Sequence, residues 1–230
     1  MSNPKYEIVL ADADETIFDF LKAEYTAFKM TLNCFGKDCA DEDVRVYSDI
    51  NLRHWKELEK GTINRETLKT SRFNEWFNFM GFKLDPKAFN EKYAANLGKC
   101  GILIDGAEEF IKKLSTICDI YIITNGLVAS QTGRFNACTI KPYIKKLYIS
   151  ESIGYSKPDK KFFDFCINDI NEHDRSKYIV LGDSLTSDMQ GGRNAGIATC
   201  RFSRDGEITG SSLCDYEITN YNDFFKILNV

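Results

Sequence analysis

The sequence predicts an α/β protein, a parallel sheet flanked by helices, with an all-helical segment inserted directly after the first strand. Two observations predict this class. Short apolar runs typical of buried parallel strands alternate with amphipathic helical patterns from about residue 98 onward. Between about residues 18 and 97, by contrast, the apolar residues recur only at helical spacing. We therefore expect a core formed by residues 1–17 and 98–230, and a helical cap formed by residues 18–97.

The first strand is expected at residues 6–11, where Ile8, Val9 and Leu10 form an apolar run that leads into Asp12 and Asp14. In an open α/β sheet the carboxyl ends of the strands border the ligand crevice, so these two carboxylates are candidates for chemistry. The alternative is an Asp-rich turn that only begins a helix.

Four helices are expected in the inserted segment, which is rich in aromatic residues. Their apolar faces fall within residues 18–32, 44–58, 68–80 and 86–97. Gly81 is expected to end the third helix, while Asp85 and Pro86 supply an N-cap and a first-turn proline for the fourth.

Strands and helices alternate again after the cap. Five strands are expected at residues 120–123, 147–149, 178–181, 197–202 and 216–218. The helical patterns comprise residues 110–117, a helix carrying Phe135, residues 162–170, a helix ending at Gly196, and residues 221–228. This alternation implies parallel pairing with right-handed crossovers.

Composition and charge argue against several classes of protein. The 230 residues include 30 basic and 34 acidic side chains, which give a net charge of -4 without a basic block. We therefore expect no binding to a nucleic acid polymer or an anionic membrane through bulk charge. The sequence has no apolar run typical of a membrane span or a signal peptide, so we expect a cytoplasmic protein that is monomeric or a small homo-oligomer.

Cysteine and histidine usage argues against a site built on these residues. The eight cysteines form no C-x-x-C pair, which indicates reduced, mostly buried thiols and not a disulfide framework or a zinc site. The two histidines, His54 and His173, are far apart in the sequence.

Polar motifs stand at four successive strand ends. They are Asp12-x-Asp14-x-Thr16, Thr124-Asn125-Gly126, Lys157-Pro158 and Gly182-Asp183-x-x-x-x-Asp188. In this order, with helices inserted after the first motif, the sequence resembles the haloacid dehalogenase superfamily of phosphotransferases over nearly its whole length. The resemblance implies a Rossmann-like core that carries out phosphoryl transfer.

A narrower resemblance, to the bacterial pyrimidine 5′-nucleotidases, rests on the exact residues of these motifs and on further segments. The further segments are Asp188-x-x-Gly191-Gly192-x-Asn194-Ala195-Gly196, Gly61-Thr62-Ile63 and Arg72-Phe73-Asn74-Glu75-Trp76. This resemblance implies a nucleoside 5′-monophosphatase that prefers pyrimidines, with a small phosphorylated metabolite as its partner. Two alternatives stay open: a phosphoglycolate or sugar-phosphate phosphatase, and a catalytically silent binding module on the same fold.

The resemblance also implies roles for the acidic residues. Asp12 is the expected nucleophile, which forms an aspartyl-phosphate, and Asp14 is the expected acid and base. Mg²⁺ is the expected cofactor, with Asp12, the backbone carbonyl of Asp14 and Asp183 as ligands. Asp188 has two interpretations: it belongs to the metal site or orients Lys157, or it is only an acidic residue that stabilises a helix start.

The remaining motifs supply groups that can bind phosphate. We expect the Thr124 hydroxyl and the backbone N–H groups of Asn125 and Gly126 to bind it, and Lys157 to pair with both Asp12 and the phosphate. The alternatives are a plain Thr-Asn-Gly turn and a surface lysine before a turn proline.

The part of the substrate beyond the phosphate is expected to be recognised by the cap, or by the turn that enters it at Ile17 and Phe18. Arg72 and Trp76 are the candidates, since an aromatic face can stack on a base and a guanidinium can donate hydrogen bonds to it. The alternative is that Phe73 and Trp76 pack the cap's own core.

Overall fold

The computed structural model describes residues 4–229, and these fall into two compact units. One unit contains the chain up to Phe20 and from Gly101 onward, and the other is Leu21–Cys100. The second unit begins and ends three residues later than the predicted cap of residues 18–97. The division into a core of residues 1–17 and 98–230 and a cap of residues 18–97 stays a prediction.

The first unit is built on one sheet of six strands. The strands are β1 (Ile8–Asp12), β2 (Asp119–Thr124), β3 (Lys146–Ile149), β4 (Tyr178–Gly182), β5 (Ala198–Phe202) and β6 (Tyr216–Ile218). Their order is β3-β2-β1-β4-β5-β6, and every neighbouring pair is parallel. This architecture confirms the predicted α/β class, and it places β1 between two neighbours near the middle of the sheet.

The α-helices of the described residues follow one another along the chain in this order. They are α1 (Phe20–Cys34), α2 (Asp41–Glu59), α3 (Arg65–Met80), α4 (Pro86–Leu97), α5 (Ala107–Leu114), α6 (Val128–Ala137), α7 (Ser150–Ile153), α8 (Lys160–Ile170), α9 (Gln190–Ala195) and α10 (Tyr221–Ile227). The short helix α7 is not among the predicted elements.

Apolar side chains cover both faces of the sheet, which explains why its central strands read as continuous apolar runs. All five residues of β1 and all five of β4 are buried. On one face β1 contributes Val9, which packs in a cluster that includes Phe110 of α5 and Phe224 of α10. On the other face Leu10 shares a cluster with Phe163 of α8. The sheet is thus the middle of three layers.

The second unit contains the four predicted cap helices, and the end of the third and the start of the fourth follow the predicted signals. Gly81, at a φ of 68°, ends α3 in the left-handed conformation that glycine adopts readily. The Asp85 side chain accepts a hydrogen bond of 3.0 Å from the Lys87 N–H and caps α4 at Pro86. The aromatic rings pack together, since Phe28 stacks on Tyr47 with centroids 3.9 Å apart. Their burial gives the four helices a common core.

The cysteines of the described residues are free thiols, as predicted. Five of them are buried, at positions 100, 118, 138, 166 and 200. Among residues 4–229, no helix combines the length and the apolar character that crossing a membrane requires.

Candidate active site

The register of the sheet brings three of the predicted motifs to one edge. In the ladder of β1, Asp12 pairs with Ile123 of β2, and Ala11 pairs with Leu181 of β4. Thr124 therefore follows immediately beside Asp12 on one side, and Asp183 follows on the other side. The first motif lies between two others because β1 lies between the strands that carry them.

Lys157 is buried among acidic groups, with only 2% of its surface exposed. Its ammonium donates hydrogen bonds to Asp12 Oδ1 and, over 2.6 Å, to Asp188 Oδ1. Burial by itself would lower the pKa of Lys157, but the carboxylates of Asp12 and Asp188 raise it above the ordinary lysine value. Lys157 is therefore a buried cation, and the alternative of a surface lysine is excluded.

The side chain of Asn125 fixes the backbone of Lys157. The Asn125 amide donates to the Lys157 carbonyl over 2.8 Å, and its oxygen accepts from the Lys157 N–H over 2.9 Å. Because one side chain satisfies both backbone groups, the loop that carries Lys157 is held against the end of β2.

Thr124 is buried, and its hydroxyl accepts a hydrogen bond of 3.0 Å from the Gly126 N–H. This contact closes a tight turn directly after β2. Of the groups predicted to bind phosphate, the Gly126 N–H is therefore already bonded within the turn.

Three carboxylates meet beside the Lys157 ammonium. Asp12, Asp183 and Asp188 each present an oxygen within 4.8 Å of the other two. Asp188 already uses both oxygens, because Oδ1 accepts from Lys157 and Oδ2 accepts from the Ser184 N–H over 3.2 Å. The Asp183 carboxylate accepts a long contact of 3.4 Å from the Thr16 hydroxyl. Asp12 and Asp183 are thus better placed than Asp188 to bind a cation.

The close approach of Asp188 depends on the absence of a side chain at Gly182. A Cβ atom at Gly182 would lie 2.4 Å from the Asp188 Cγ, which is closer than atoms can pack. Asp188 itself lies in a single π-helical turn, Leu185–Met189, that precedes α9. The sequence predicts a helix here that ends at Gly196, but not this wider turn, which directs Asp188 inward.

Burial and mutual repulsion disfavour the charged forms of the acids. Burial raises the pKa of Asp12 well above its usual range, Lys157 opposes this effect, and the neighbouring aspartates add to it. For Asp183, burial and the charge of Asp188 raise the pKa to about 7. Three acids face one ammonium, so a divalent cation would balance the charge, and the carboxylate oxygens are ligands that Mg²⁺ prefers. The residues of this site therefore fit Mg²⁺.

Asp14 contacts two side chains that the sequence interpretation missed. Gln131 Nε2 donates to Asp14 Oδ2 over 2.7 Å, and Arg134 Nη1 donates to Asp14 Oδ1. Both lie on α6, three residues apart, so they project from the same helix face. That spacing was the available signal, but polar residues on a helix more commonly face solvent.

Arg72 and Trp76 lie within the helical unit, and both are buried there. Arg72 donates to Asn51 Oδ1 over 2.7 Å and to Asn90 Oδ1 over 3.1 Å. The Trp76 indole N–H donates to the Asp43 carbonyl over 2.8 Å. For Trp76 these contacts match the packing alternative. A role for either residue in substrate binding stays a prediction.

Known proteins resemble this chain in sequence and in fold. The family model described as haloacid dehalogenase-like hydrolase matches residues 9–202. The pyrimidine 5′-nucleotidase PynA of Streptococcus pneumoniae is 32% identical over 230 residues, covering 97% of this chain and 95% of that protein. YfnB of Bacillus subtilis, a protein named as a HAD-hydrolase, is 30% identical over 227 residues, covering 98% of this chain and 97% of YfnB. The crystal structure of YfnB bound to magnesium has a TM-score of 0.92, with 98% of this chain and 100% of that chain covered.

Proposed function

The chain belongs to the haloacid dehalogenase-like hydrolase family, and from this premise we propose that it is a Mg²⁺-dependent phosphomonoester hydrolase with Asp12 as nucleophile. One observation carries the proposal. The buried Lys157 ammonium binds one oxygen of Asp12, at a strand end where Asp183 and Asp188 also converge. Burying several charges together lowers the stability of the fold, because each charge loses its hydration. The presence of this cluster therefore supports a role in catalysis.

Lys157 keeps Asp12 reactive. A buried carboxylate beside other acids tends to take up a proton, and a protonated carboxyl group is a poor nucleophile. The ammonium opposes this tendency and binds Oδ1, so Oδ2 would be the oxygen that attacks phosphorus. Asp188 in turn holds the ammonium in place through its own hydrogen bond of 2.6 Å.

Asp12, Asp183 and the backbone carbonyl of Asp14 would hold the Mg²⁺, and Asp188 would position Lys157. When bound, Mg²⁺ supplies positive charge that offsets the charge of the phosphate oxygens and of the carboxylates. This assignment is supported by the hydrogen bonds that already occupy both oxygens of Asp188. Binding of Mg²⁺ itself, though not the choice of ligands, is supported by the magnesium bound in the YfnB structure.

The reaction then proceeds in two displacements. Asp12 attacks phosphorus and forms a P–O bond while the P–O bond to the leaving oxygen breaks, and Asp14 gives its proton to that oxygen. Water next attacks the phosphorus of the aspartyl-phosphate, Asp14 takes a proton from the water, and the bond to Asp12 breaks. The products are an alcohol and inorganic phosphate, and both aspartates return to their initial states.

The phosphate would be bound by the Lys157 ammonium, the Thr124 hydroxyl and the Asn125 N–H. These groups can recognise any phosphate monoester, so the substrate class needs separate support. The similarity to a pyrimidine 5′-nucleotidase over nearly the whole chain supports a pyrimidine nucleoside 5′-monophosphate as substrate.

Release of inorganic phosphate tests this function. The purified protein is assayed with pyrimidine and purine nucleoside monophosphates, sugar phosphates, phosphoglycolate and p-nitrophenyl phosphate, each with Mg²⁺ and with EDTA. We expect Mg²⁺-dependent release that is most efficient with uridine or thymidine monophosphate. Preference for a sugar phosphate or phosphoglycolate would overturn the substrate. Undiminished release in EDTA would overturn the metal requirement, and no release from any ester would indicate a binding module.

A further inference from the structure

The side chain of Asp14 is held at both of its oxygens by residues of α6. Gln131 Nε2 donates to Oδ2 over 2.7 Å, and the Arg134 guanidinium donates to Oδ1. A carboxylate that accepts one hydrogen bond can still rotate about it, whereas two donors on two oxygens fix its plane and its direction. We call Gln131 and Arg134 the Asp14 clamp.

Arg134 is built into the protein as part of this clamp. Its side chain has no exposed surface, whereas the Asp14 side chain is 28% exposed. Within residues 4–229, Asp14 is the one carboxylate that forms an ion pair with Arg134. The guanidinium lies over the ring of Phe18 at 4.7 Å and over that of Phe20 at 5.7 Å. The rings restrict the guanidinium to the orientation that meets Asp14.

Gln131 reaches Asp14 by crossing the backbone at Gly126. A Cβ atom at Gly126 would lie 2.3 Å from Gln131 Nε2, the same nitrogen that binds Asp14, and 2.7 Å from Gln131 Cγ. Any other residue at position 126 would displace the amide from Asp14. The turn after β2 therefore leaves a path for the clamp.

The backbone of Asp14 is fixed independently of the clamp. The Glu15 N–H donates to the Phe18 carbonyl over 2.9 Å, and the Tyr221 hydroxyl donates to the Thr16 carbonyl over 2.8 Å. With the main chain held directly after Asp14, the remaining freedom lies mainly in its side-chain torsions, and these are what the clamp restricts.

We infer that Gln131 and Arg134 are positioning residues that aim the Asp14 carboxyl group for proton transfer to the leaving oxygen. This inference rests on the proposed function, in which Asp14 protonates that oxygen as its bond to phosphorus breaks. A carboxylate has room for a proton beside the two accepted hydrogen bonds, because each oxygen has two lone pairs. General-acid catalysis depends on the orientation of the carboxyl group, because the proton donor must lie within hydrogen-bond distance of the leaving atom.

Two substrates of nearly equal shape test the inference. Phenolate is a poor leaving group that benefits from a proton, whereas p-nitrophenolate departs without one. The ratio of kcat/KM between variant and wild type is measured for phenyl phosphate and for p-nitrophenyl phosphate. This parameter reports the first displacement and is unaffected by the later attack of water.

The variants are Gln131→Leu, Arg134→Met, Arg134→Lys and Asp14→Asn, with Thr132→Ala on the exposed face of α6 as control. We expect Asp14→Asn to lower kcat/KM about 100-fold for phenyl phosphate, and Gln131→Leu and Arg134→Met to lower it about tenfold. For p-nitrophenyl phosphate, each clamp variant should stay within about threefold of wild type. Arg134→Lys should retain more activity on phenyl phosphate than Arg134→Met, and Gln131→Leu should add no further loss in the Asp14→Asn background.

The results distinguish a failure of the positioning role from a failure of the acid role of Asp14. Equal losses on both substrates, or no loss on either, in Gln131→Leu and Arg134→Met would overturn the positioning role, provided that Asp14→Asn is selective. If Asp14→Asn itself affects both substrates equally, the proposed acid role of Asp14 fails together with the inference. Thermal denaturation identifies a variant that does not fold, in which case Gln131→Leu, the less disruptive change, decides alone.

Discussion

The Asn125 side chain holds the backbone of Lys157 by a pair of hydrogen bonds, one donated over 2.8 Å and one accepted over 2.9 Å. The pair connects the end of β2 to the loop that carries the buried ammonium. The position of Lys157, and through it the position of the Asp12 carboxylate, thus depends on a residue from another motif.

Replacement of Asn125 by alanine should displace Lys157 without removing it. Two backbone groups would lose their partners, which costs about 2 kcal/mol in the free energy of unfolding. A displaced ammonium should also lower kcat/KM for p-nitrophenyl phosphate by about tenfold or more. Urea denaturation and phosphate release measure the two effects. Asn136→Ala, at an exposed position of α6, is the control and should change neither.

Substitution of Asp183 and of Asp188 should separate a metal ligand from a positioning residue. Asp183→Asn removes a charge that would bind Mg²⁺, so the Mg²⁺ concentration for half-maximal activity should rise about tenfold or more. Asp188→Asn should lower kcat but change that concentration by less than about threefold, because Asp188 already binds Lys157 and the Ser184 N–H. The same large shift in both variants would show that Asp188 is a ligand as well.

Binding of Mg²⁺ should strengthen as the pH rises. In the metal-free protein the pKa of Asp183 is about 7, raised by burial and by Asp188, so below that pH the carboxyl group must lose a proton before it can bind metal. The apparent Kd should therefore increase at least about tenfold for each pH unit below about pH 7, and more steeply where Asp12 must also lose a proton. Calorimetric titration between about pH 6 and pH 8 measures it, with Asp183→Asn as control. A pH-independent Kd in the wild-type protein would contradict this expectation.

The raised pKa of Asp183 also makes the free energy of unfolding depend on pH. The direction is opposite to that of a salt-bridged surface aspartate, which stabilises the fold more as the pH rises. The folded, metal-free protein holds the Asp183 proton more tightly than the unfolded chain, in which an aspartate has its ordinary pKa of 3.8. The contribution of Asp183 to the free energy of unfolding is therefore lost as the pH rises from about 4 to about 7.

Trp76 should contribute to the stability of the helical unit. The side chain is fully buried, packs edge-on against Phe28 at 4.8 Å and donates to the Asp43 carbonyl. Trp76→Ala should therefore lower the free energy of unfolding by about 3–5 kcal/mol. The control on the same helix is Phe79→Ala, which removes a side chain that is 60% exposed and should change stability by less than about 0.5 kcal/mol. Equal small effects from both changes, measured by thermal denaturation, would show that Trp76 is not a packing residue.

The strands and the cap helices could be predicted because their signals are local. The apolar run before Asp12 indicates a buried strand wherever it occurs, and Gly81 and Asp85 mark helix ends through their own backbone and side-chain chemistry. The convergence of Asp12, Thr124 and Asp183 could also be predicted, since carboxyl ends of parallel strands share one edge of a sheet.

The contacts within the site could not be predicted to the same extent, because they depend on where long side chains end. Gln131 and Arg134 occupy a helix face that sequence alone assigns to solvent, and only the structure places that face against Asp14. The two interpretations of Asp188 also depended on geometry. The π-helical turn that directs it toward Lys157 has no sequence signature.

A phosphoryl group trapped on Asp12 is the most direct test of the proposed chemistry. In Asp14→Asn, p-nitrophenyl phosphate needs no proton for the first displacement, but the second displacement lacks its base, so the aspartyl-phosphate should accumulate. With Mg²⁺ we expect a burst of p-nitrophenolate equal to the enzyme concentration, followed by slow turnover. Mass spectrometry of the acid-quenched protein should find the phosphoryl group on the peptide that contains Asp12. Steady turnover at the wild-type rate without a burst, or a phosphoryl group on another residue, would contradict the account.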